Sequence, residues 1–178
     1  SVSGQQHGLV ALDRKGNLAK STSKLWNDFS TKRECDILTE NIGGKDRMIA
    51  EISNSQRTGY TASKIFHMQR NEIELFNNTY QFMLVHNYVN YFLTGGVFAM
   101  EEGDASGTGL WDPVKKKWSE SLTSIISKDL LSKLPPVYSS TKSIGNISKR
   151  LVKEYGFNST CRIDAGSGDN MYLSLIHI

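Results

Sequence analysis

The sequence predicts one α/β domain, and three observations lead to that class. The chain has 178 residues, which is long enough to bury the core of a single domain. Hydrophobic residues make up 38% of it and charged residues 22%, proportions typical of a globular protein rather than a disordered one. Short apolar runs typical of strands alternate with segments of helical spacing, without an internal repeat or a long linker.

The first half of the chain predicts a strand, a turn and a set of helices. Residues 9–13 form the strand, and Lys15-Gly16-Asn17 provides a turn into a second strand. A helix follows Ser30-Thr31, whose hydroxyls favour a helix start, and Gly43-Gly44 ends it. Two more helices are predicted from apolar spacing, over 46–52 and 62–70.

The second half continues the alternation. The apolar run 82–85 predicts a buried strand, and 86–93 predicts a helix that ends at Gly95-Gly96. The polar, glycine-rich segment 101–109 predicts a loop. The remaining elements are a helix capped by Ser119 and continuing to residue 126, a segment 130–134 stopped by Pro135-Pro136, a helix over 148–155 and a strand over 161–164.

Charge and cysteine content exclude several classes of protein. The formal net charge is +3, and the densest basic cluster, Lys115-Lys116-Lys117, lacks the broad stripe of a nucleic-acid site. Cys35 and Cys161 match no metal-ligand or redox spacing, which favours a reducing compartment. The chain has no apolar stretch of membrane-spanning length and no leader pattern at its start. We therefore expect a cytoplasmic protein that binds neither nucleic acid nor membrane.

Three polar, glycine-rich loops are the candidate ligand sites: 3–8, 103–108 and 166–170. Gln6 and His7 in the first loop supply an amide and an imidazole, which suit a ligand rich in hydroxyls. Asp169 in the third is presented on a flexible glycine turn, as a catalytic acid or base would be. Taken alone, each feature is more often ordinary, the first a structural histidine and the second a solvated loop. No paired nucleophile or His-rich cluster favours a hydrolase or a metalloenzyme.

The three loops belong to an ordered series of segments along the chain, and this order favours a functional role for them. In chain order the series is Ser3-Gly4-Gln5-Gln6-His7-Gly8, Leu25-Trp26-Asn27-Asp28, Gly59-Tyr60-Thr61-Ala62-Ser63-Lys64, 84–95, Gly103-Asp104-Ala105-Ser106-Gly107-Thr108, Trp118-Ser119, Leu134-Pro135 and Gly166-Ser167-Gly168-Asp169-Asn170. In this series the chain resembles the carbohydrate kinases of the xylulokinase type, in the large family that also holds glycerol, gluconate and ribulose kinases. The resemblance spans nearly the whole chain.

The resemblance implies a fold, an activity and a set of site residues. The fold is the ribonuclease H-like α/β fold of actin and hexokinase, here incomplete, and the activity is ATP-dependent phosphorylation of D-xylulose to D-xylulose 5-phosphate. Asp169 takes the place of the catalytic base. The other implied residues are Gln6, His7 and Asn170 as sugar ligands, and Asp28, Lys64 and Asp104 as support for the cleft. ATP and Mg²⁺ are the implied cofactors, and a homodimer is the implied assembly.

The departures from that pattern set the expected boundaries. Residues 1–170 correspond to part of a sugar-binding N-terminal domain, whereas 171–178 do not look like the family and read as a junction or artefact. The family's Asp-x-Gly-Thr phosphate turn and its nucleotide-binding second domain are both absent from these residues, so we expect no turnover from the chain alone. Asn87 stands where Asp is usual, and polar Asp164 stands in an expected apolar strand. The alternatives are another kinase of the family, such as one for ribulose, gluconate or glycerol, and a non-catalytic sugar-binding module.

Overall fold

A computed structural model describes residues 1–169, and it confirms the mixed α/β class. Asn170 and the tail 171–178 lie outside the described residues. The α-helices in the described part of the chain are α1 (Lys32–Asn41), α2 (Lys45–Ile52), α3 (Thr61–Asn71), α4 (Ile73–Asn78), α5 (Val85–Thr94), α6 (Glu102–Gly107), α7 (Glu120–Ile126) and α8 (Lys149–Tyr155). A 3₁₀ helix covers Leu130–Lys133.

The strands are short and pair two by two. They are β1 (Ser3–Gly4), β2 (Val10–Leu12), β3 (Gln81–Met83), β4 (Met100–Glu101), β5 (Trp111–Asp112), β6 (Lys117–Trp118), β7 (Val137–Tyr138), β8 (Ser143–Asn146), β9 (Arg162–Asp164) and β10 (Ser167–Gly168). The pairs β2–β3, β5–β6 and β8–β9 are antiparallel, and β1–β10 and β4–β7 are parallel. The β1–β10 pair joins the two ends of the described chain.

The main core packs the first three helices against the β2–β3 pair. Leu38, Ile65, Phe76 and Phe82 are all almost completely buried in it, together with Leu122 from α7. Burying side chains of this size contributes about 1.5–3 kcal/mol each. A smaller cluster joins α8 to the β8–β9 pair. The two clusters thus bury apolar side chains of the helices against the β2–β3 and β8–β9 pairs.

Local sequence signals set some of the helix ends, although the Thr31 side chain makes no capping hydrogen bond at the start of α1. The Ser119 hydroxyl accepts a hydrogen bond from the Leu122 amide at the start of α7, as predicted. Gly95 ends α5 at φ 78°, a left-handed conformation that glycine adopts without a steric cost. Asp164 also fits its strand, because its carboxylate pairs with the side chain of Arg162 at 2.9 Å.

The segment 101–109 corrects one prediction. A loop was expected there, but the chain forms the end of β4 and then α6. The Glu101 carboxylate accepts hydrogen bonds from the amides of Gly103, at 2.9 Å, and Asp104, at 2.6 Å, and so starts the helix. This capping stabilises a helix in residues whose intrinsic propensity is low. Asp104 therefore lies on a helix and points into the protein instead of lying on an exposed loop.

The remaining differences concern short elements. The second strand expected after Gly16 is reduced to a single bridge between Leu12 and Leu18. Two residues are enough for β1, which was not predicted because so short a strand has no alternation to read. In the part of the chain that the structure describes, no helix has the length and hydrophobicity needed to cross a membrane.

Candidate functional site

The candidate site lies where β1 and β10 end. The two strands are parallel, with Ser3 opposite Ser167 and Gly4 opposite Gly168. The carboxyl ends of parallel strands meet at one edge of a sheet, where α/β proteins bind ligands. Gln5 therefore follows β1 beside the point at which Asp169 follows β10.

A cleft of about 270 Å³ opens at this edge. Its lining residues are Gln5, Gln6, His7, Trp26 and Asp169. Three residues expected at the site thus line one cleft: Gln6, His7 and Asp169. More than 160 residues separate Asp169 from the other two in sequence. Asp169 is exposed at its surface. Asn170, the fourth, lies outside the described residues.

Two glycines allow the cleft residues to approach the backbone. A Cβ placed on Gly168 would lie 2.6 Å from Cγ of Gln6, and one placed on Gly107 would lie 2.9 Å from Cε1 of His7. Both separations are too short for real carbon atoms, so a side chain at either position would displace a cleft residue. These glycines are needed for the space they leave.

His7 is held in an unusual conformation. Its φ of 65° is left-handed, which is uncommon for a residue with a Cβ and costs about 1–3 kcal/mol. The ring stacks on Tyr60, with centroids 4.6 Å apart. Burial and the nearby Lys64 ammonium lower the pKa of His7, against the opposing charges of Asp104 and Asp169. The imidazole is therefore neutral near pH 7 and can both donate and accept a hydrogen bond.

Lys64 ties together the two backbone segments that form the cleft. Its side chain is 1% exposed, and its ammonium donates to the carbonyl oxygens of His7 and Leu25, each at 2.7 Å. Burial lowers the pKa of Lys64 to about 8, and the charge of Asp28 opposes that shift. The contact to Leu25 fixes the segment that carries Trp26, the aromatic wall of the cleft.

Asp28 shapes the same segment from outside the cleft. Its carboxylate accepts hydrogen bonds from the Ser30 hydroxyl, at 2.6 Å, and the Ser30 amide, at 2.9 Å, and pairs with Lys24 at 3.2 Å. These bonds, the Ser30 hydroxyl foremost, lower the pKa of Asp28 to about 2. Asp28 is not among the cleft-lining residues, and its contacts are those of a turn.

Asp104 is completely buried and is not among the residues that line the cleft. Its Oδ2 atom is 2.6 Å from Nδ1 of His86, and both side chains are 0% exposed. On the other side of the ring, Nε2 of His86 lies 3.1 Å from the carbonyl oxygen of Ala165, four residues before Asp169. His86, which sequence reasoning did not single out, thus lies between Asp104 and the turn that precedes Asp169.

Two further cleft residues were missed. Trp26, 55% exposed, and Gln5 line the cleft, although only Asp28 was named from the first segment and only Gln6 and His7 from the second. The signal for Trp26 in the sequence is a tryptophan within a polar segment. Such a residue is a candidate for the surface, and large apolar side chains on a surface often mark binding sites. For Mg²⁺, residues 1–169 contain no group of three or more His, Cys, Asp or Glu side chains that could hold a metal ion. No ligand of the ion is therefore assigned in this part of the chain.

The comparisons with known proteins all indicate the same family. The profile of the FGGY family of carbohydrate kinases, N-terminal domain, matches residues 1–175. The xylulose kinase of Haemophilus influenzae is 40% identical over 172 residues, which is 96% of this chain and 34% of that protein. The xylulose kinase of Lactococcus lactis is 34% identical over 175 residues, 98% of this chain and 34% of that protein.

Solved structures of the same kind share the fold. A xylulose kinase from Lactobacillus acidophilus, solved with a ligand bound, superposes with a TM-score of 0.84 at 25% identity, over 98% of this chain and 34% of that one. A gluconate kinase from the same species gives a TM-score of 0.84 at 24% identity, over 97% of this chain and 34% of that one, and supports the fold alone. This chain spans about a third of the length of the relatives that it matches. The expected fold of the sugar kinases and actin is confirmed.

Proposed function

Because the chain belongs to the FGGY family of carbohydrate kinases, we propose that it is the sugar-binding part of an enzyme that phosphorylates D-xylulose with ATP. One observation carries the proposal. The parallel pairing of β1 with β10 brings Asp169 into the same cleft as Gln6 and His7. A carboxylate beside two groups suited to hydroxyls is the arrangement that activation of a sugar hydroxyl requires.

The roles of the residues follow from their chemistry. Gln6 and neutral His7 each offer a donor and an acceptor to sugar hydroxyls, and Trp26 offers an apolar face to the ring or carbon chain. Asp169 accepts the proton of the attacking hydroxyl as its oxygen forms a bond to the transferred phosphorus. ATP supplies the phosphoryl group, and ADP departs with the electrons of the broken bond. Positioning and charge stabilisation account for most catalysis in this kind of transfer.

The supporting residues keep the cleft in shape. Lys64 fixes the carbonyls of His7 and Leu25, and Asp28 closes the turn that follows Trp26. We propose the cytoplasm as the location, which suits two cysteines that are both free. ATP with Mg²⁺ as cofactors and a homodimeric assembly also remain proposals.

The test is a phosphorylation assay on the full-length protein that carries this chain. D-xylulose, D-ribulose, D-gluconate and glycerol are each supplied with ATP and Mg²⁺, and ADP release is followed. We expect the highest kcat/KM with D-xylulose. A higher value with another of these substrates would reassign the sugar within the family. No ADP release above the sugar-free rate with any of them would contradict the kinase assignment and favour a non-catalytic sugar-binding module.

A further inference from the structure

We propose that His86 is a positioning residue that holds Asp169 in register with the sugar-binding residues Gln6 and His7. The proposal rests on the proposed function, because it concerns the base of that reaction. His86 is the second residue of α5 and is completely buried. His86 is not among the residues that line the cleft, so its effect would be indirect.

The His86 side chain supports both strands that end at the cleft. A Cβ on Gly4 of β1 would lie 2.9 Å from Cβ of His86, so the glycine backbone rests directly against this side chain. On the β10 side, Nε2 of the ring lies 3.1 Å from the carbonyl oxygen of Ala165. One buried side chain therefore contacts the strand that leads to Gln6 and the turn that leads to Asp169.

Contacts of Ala165 and Gly166 restrict the position of β10, which follows them. The Ala165 carbonyl also accepts a hydrogen bond from Nδ2 of Asn90, at 2.8 Å, so α5 holds this atom from two positions. Gly166 follows with a φ of 77° and lies tightly against the carbonyl of Val2. A shift of the Ala165 carbonyl is therefore transmitted to Ser167, Gly168 and Asp169.

The protonation state of His86 decides whether the Ala165 contact is a hydrogen bond. Nδ1 lies 2.6 Å from Oδ2 of Asp104, and the negative charge of that carboxylate favours a proton on Nδ1. Nε2 lies between the Ala165 oxygen, an acceptor, and Nδ2 of Asn87, a donor 3.1 Å away. The Asn87 amide is oriented because its oxygen accepts from the Leu84 amide. While Nδ1 keeps its proton, the ring donates to Ala165 only when Nε2 is protonated as well; without that proton, Nε2 accepts from Asn87 and no longer bonds Ala165.

The charges around the ring favour the anchored form. Burial by itself lowers the pKa of His86, but the Asp104 carboxylate, with a smaller contribution from Glu101, raises it above the ordinary value. Because a buried carboxylate without a charged partner is strongly destabilising, the charged form of the Asp104–His86 pair is favoured. Asp104, expected only to brace the cleft, would act on Asp169 by keeping His86 protonated.

Two matched substitutions separate the contacts of the two ring nitrogens. The amide nitrogen of glutamine reaches the place of Nε2, and that of asparagine reaches the place of Nδ1. We compare His86→Gln with His86→Asn, both combined with Asp104→Asn so that neither leaves a buried carboxylate unpaired. The glutamine variant keeps a donor for Ala165 and is expected to retain kcat within about threefold. The asparagine variant loses that donor and is expected to lose about 10- to 100-fold in kcat, the effect of a misplaced catalytic group.

A second measurement reads the position of the strand without any reaction. Hydrogen exchange of the Gly166 and Ser167 amides, in the same full-length proteins without sugar or ATP, is expected to be at least about fivefold faster in the asparagine variant. The Ile147 amide, bonded to Cys161 within the neighbouring β8–β9 region, is the internal control and should exchange equally in both.

The outcomes separate the two proposals. A wild-type protein that phosphorylates no sugar overturns the proposed function. An active wild type in which the two variants have equal kcat overturns the positioning role alone, whatever the exchange shows. Equal exchange with unequal kcat also overturns it, because the loss would not then come through the strand.

Discussion

Gly4 is paired with Gly168 in parallel register, at the ends of strands that open and close the described chain. The pairing sets Gln5 and Asp169 side by side as the two strands end. Gly168 lies against the cleft residue Gln6, whereas Gly4 lies against the buried side chain of His86. Both strand ends thus need a glycine, one for the space of the cleft and the other for packing behind it.

Replacing Asp169 with Asn is expected to lower kcat for D-xylulose by about 10²- to 10⁴-fold. The amide has the shape of the carboxylate but cannot take the proton of the attacking hydroxyl. ADP release by the full-length variant measures the effect. Asp36→Asn is the control, since that carboxylate is exposed and pairs with Lys32, away from the cleft-lining residues. An Asp169→Asn enzyme as active as the wild type would favour the non-catalytic binding module.

Replacing Lys64 with Met is expected to destabilise the protein and weaken sugar binding. The change leaves the carbonyls of His7 and Leu25 without their buried donor, at about 1–3 kcal/mol for each unsatisfied group. Urea unfolding measures the stability, and the KM for sugar measures the cleft. The same change at exposed Lys32 should cost less than about 0.5 kcal/mol. Equal effects at both positions would show that Lys64 does not hold the two segments together.

Replacing Gly166 with Ala is expected to cost about 3 kcal/mol or more of stability. The left-handed φ of 77° strains any residue with a Cβ, and the added carbon would collide with the carbonyl of Val2. Gly156→Ala is a matched control, because φ there is 72° but nothing lies within 4 Å. It should cost only the conformational part, about 1–2 kcal/mol. Similar losses in the two variants would mean that the contact with Val2 contributes nothing.

Stability is expected to depend on pH with opposite signs at buried His86 and half-buried His7. The pKa of His86 is raised from 6.5, so its contribution is complete below pH 6.5 and is lost as pH rises through the folded value. The pKa of His7 is lowered, so its contribution is present above pH 6.5 and is lost as pH falls through its folded value.

Urea unfolding between pH 5 and 9 measures both effects as differences from the wild type. The advantage of the wild type over His86→Gln should shrink as pH rises above 6.5. Its advantage over His7→Gln should shrink as pH falls below 6.5. A difference that stays constant with pH for either variant would contradict the shift assigned to that histidine.

The longer elements of the fold could be predicted from local signals. Apolar spacing predicted α1, α2 and α3, and Ser119 marked the start of α7. Strands of two residues, such as β1, carry no such pattern, because their stability comes from a partner far away in sequence. The helix at Glu102–Gly107 was missed for a related reason, since its start depends on the carboxylate of Glu101 and its glycines predict a turn.

The site was predictable where residue type was informative. Gln6, His7 and Asp169 were named from their chemistry and from a family resemblance, and the structure brings them to one cleft. Their roles in binding and catalysis stay predictions. His86 was not singled out because nothing in the sequence near it marks a buried histidine between an aspartate and a distant carbonyl. Only tertiary contacts bring Asp104 and Ala165 to its two nitrogens.

The distance along the chain between β1 and β10 has a consequence during synthesis. Gly4 and its partner Gly168 are 168 − 4 = 164 positions apart. At the usual ribosomal rate of about 5–20 residues per second, the first strand waits roughly 8–30 s before its neighbour is made. Helices α1 to α5 can pack in that interval, whereas the cleft assembles only after the last strand emerges. A nascent chain would therefore acquire most of its core well before it could hold a sugar.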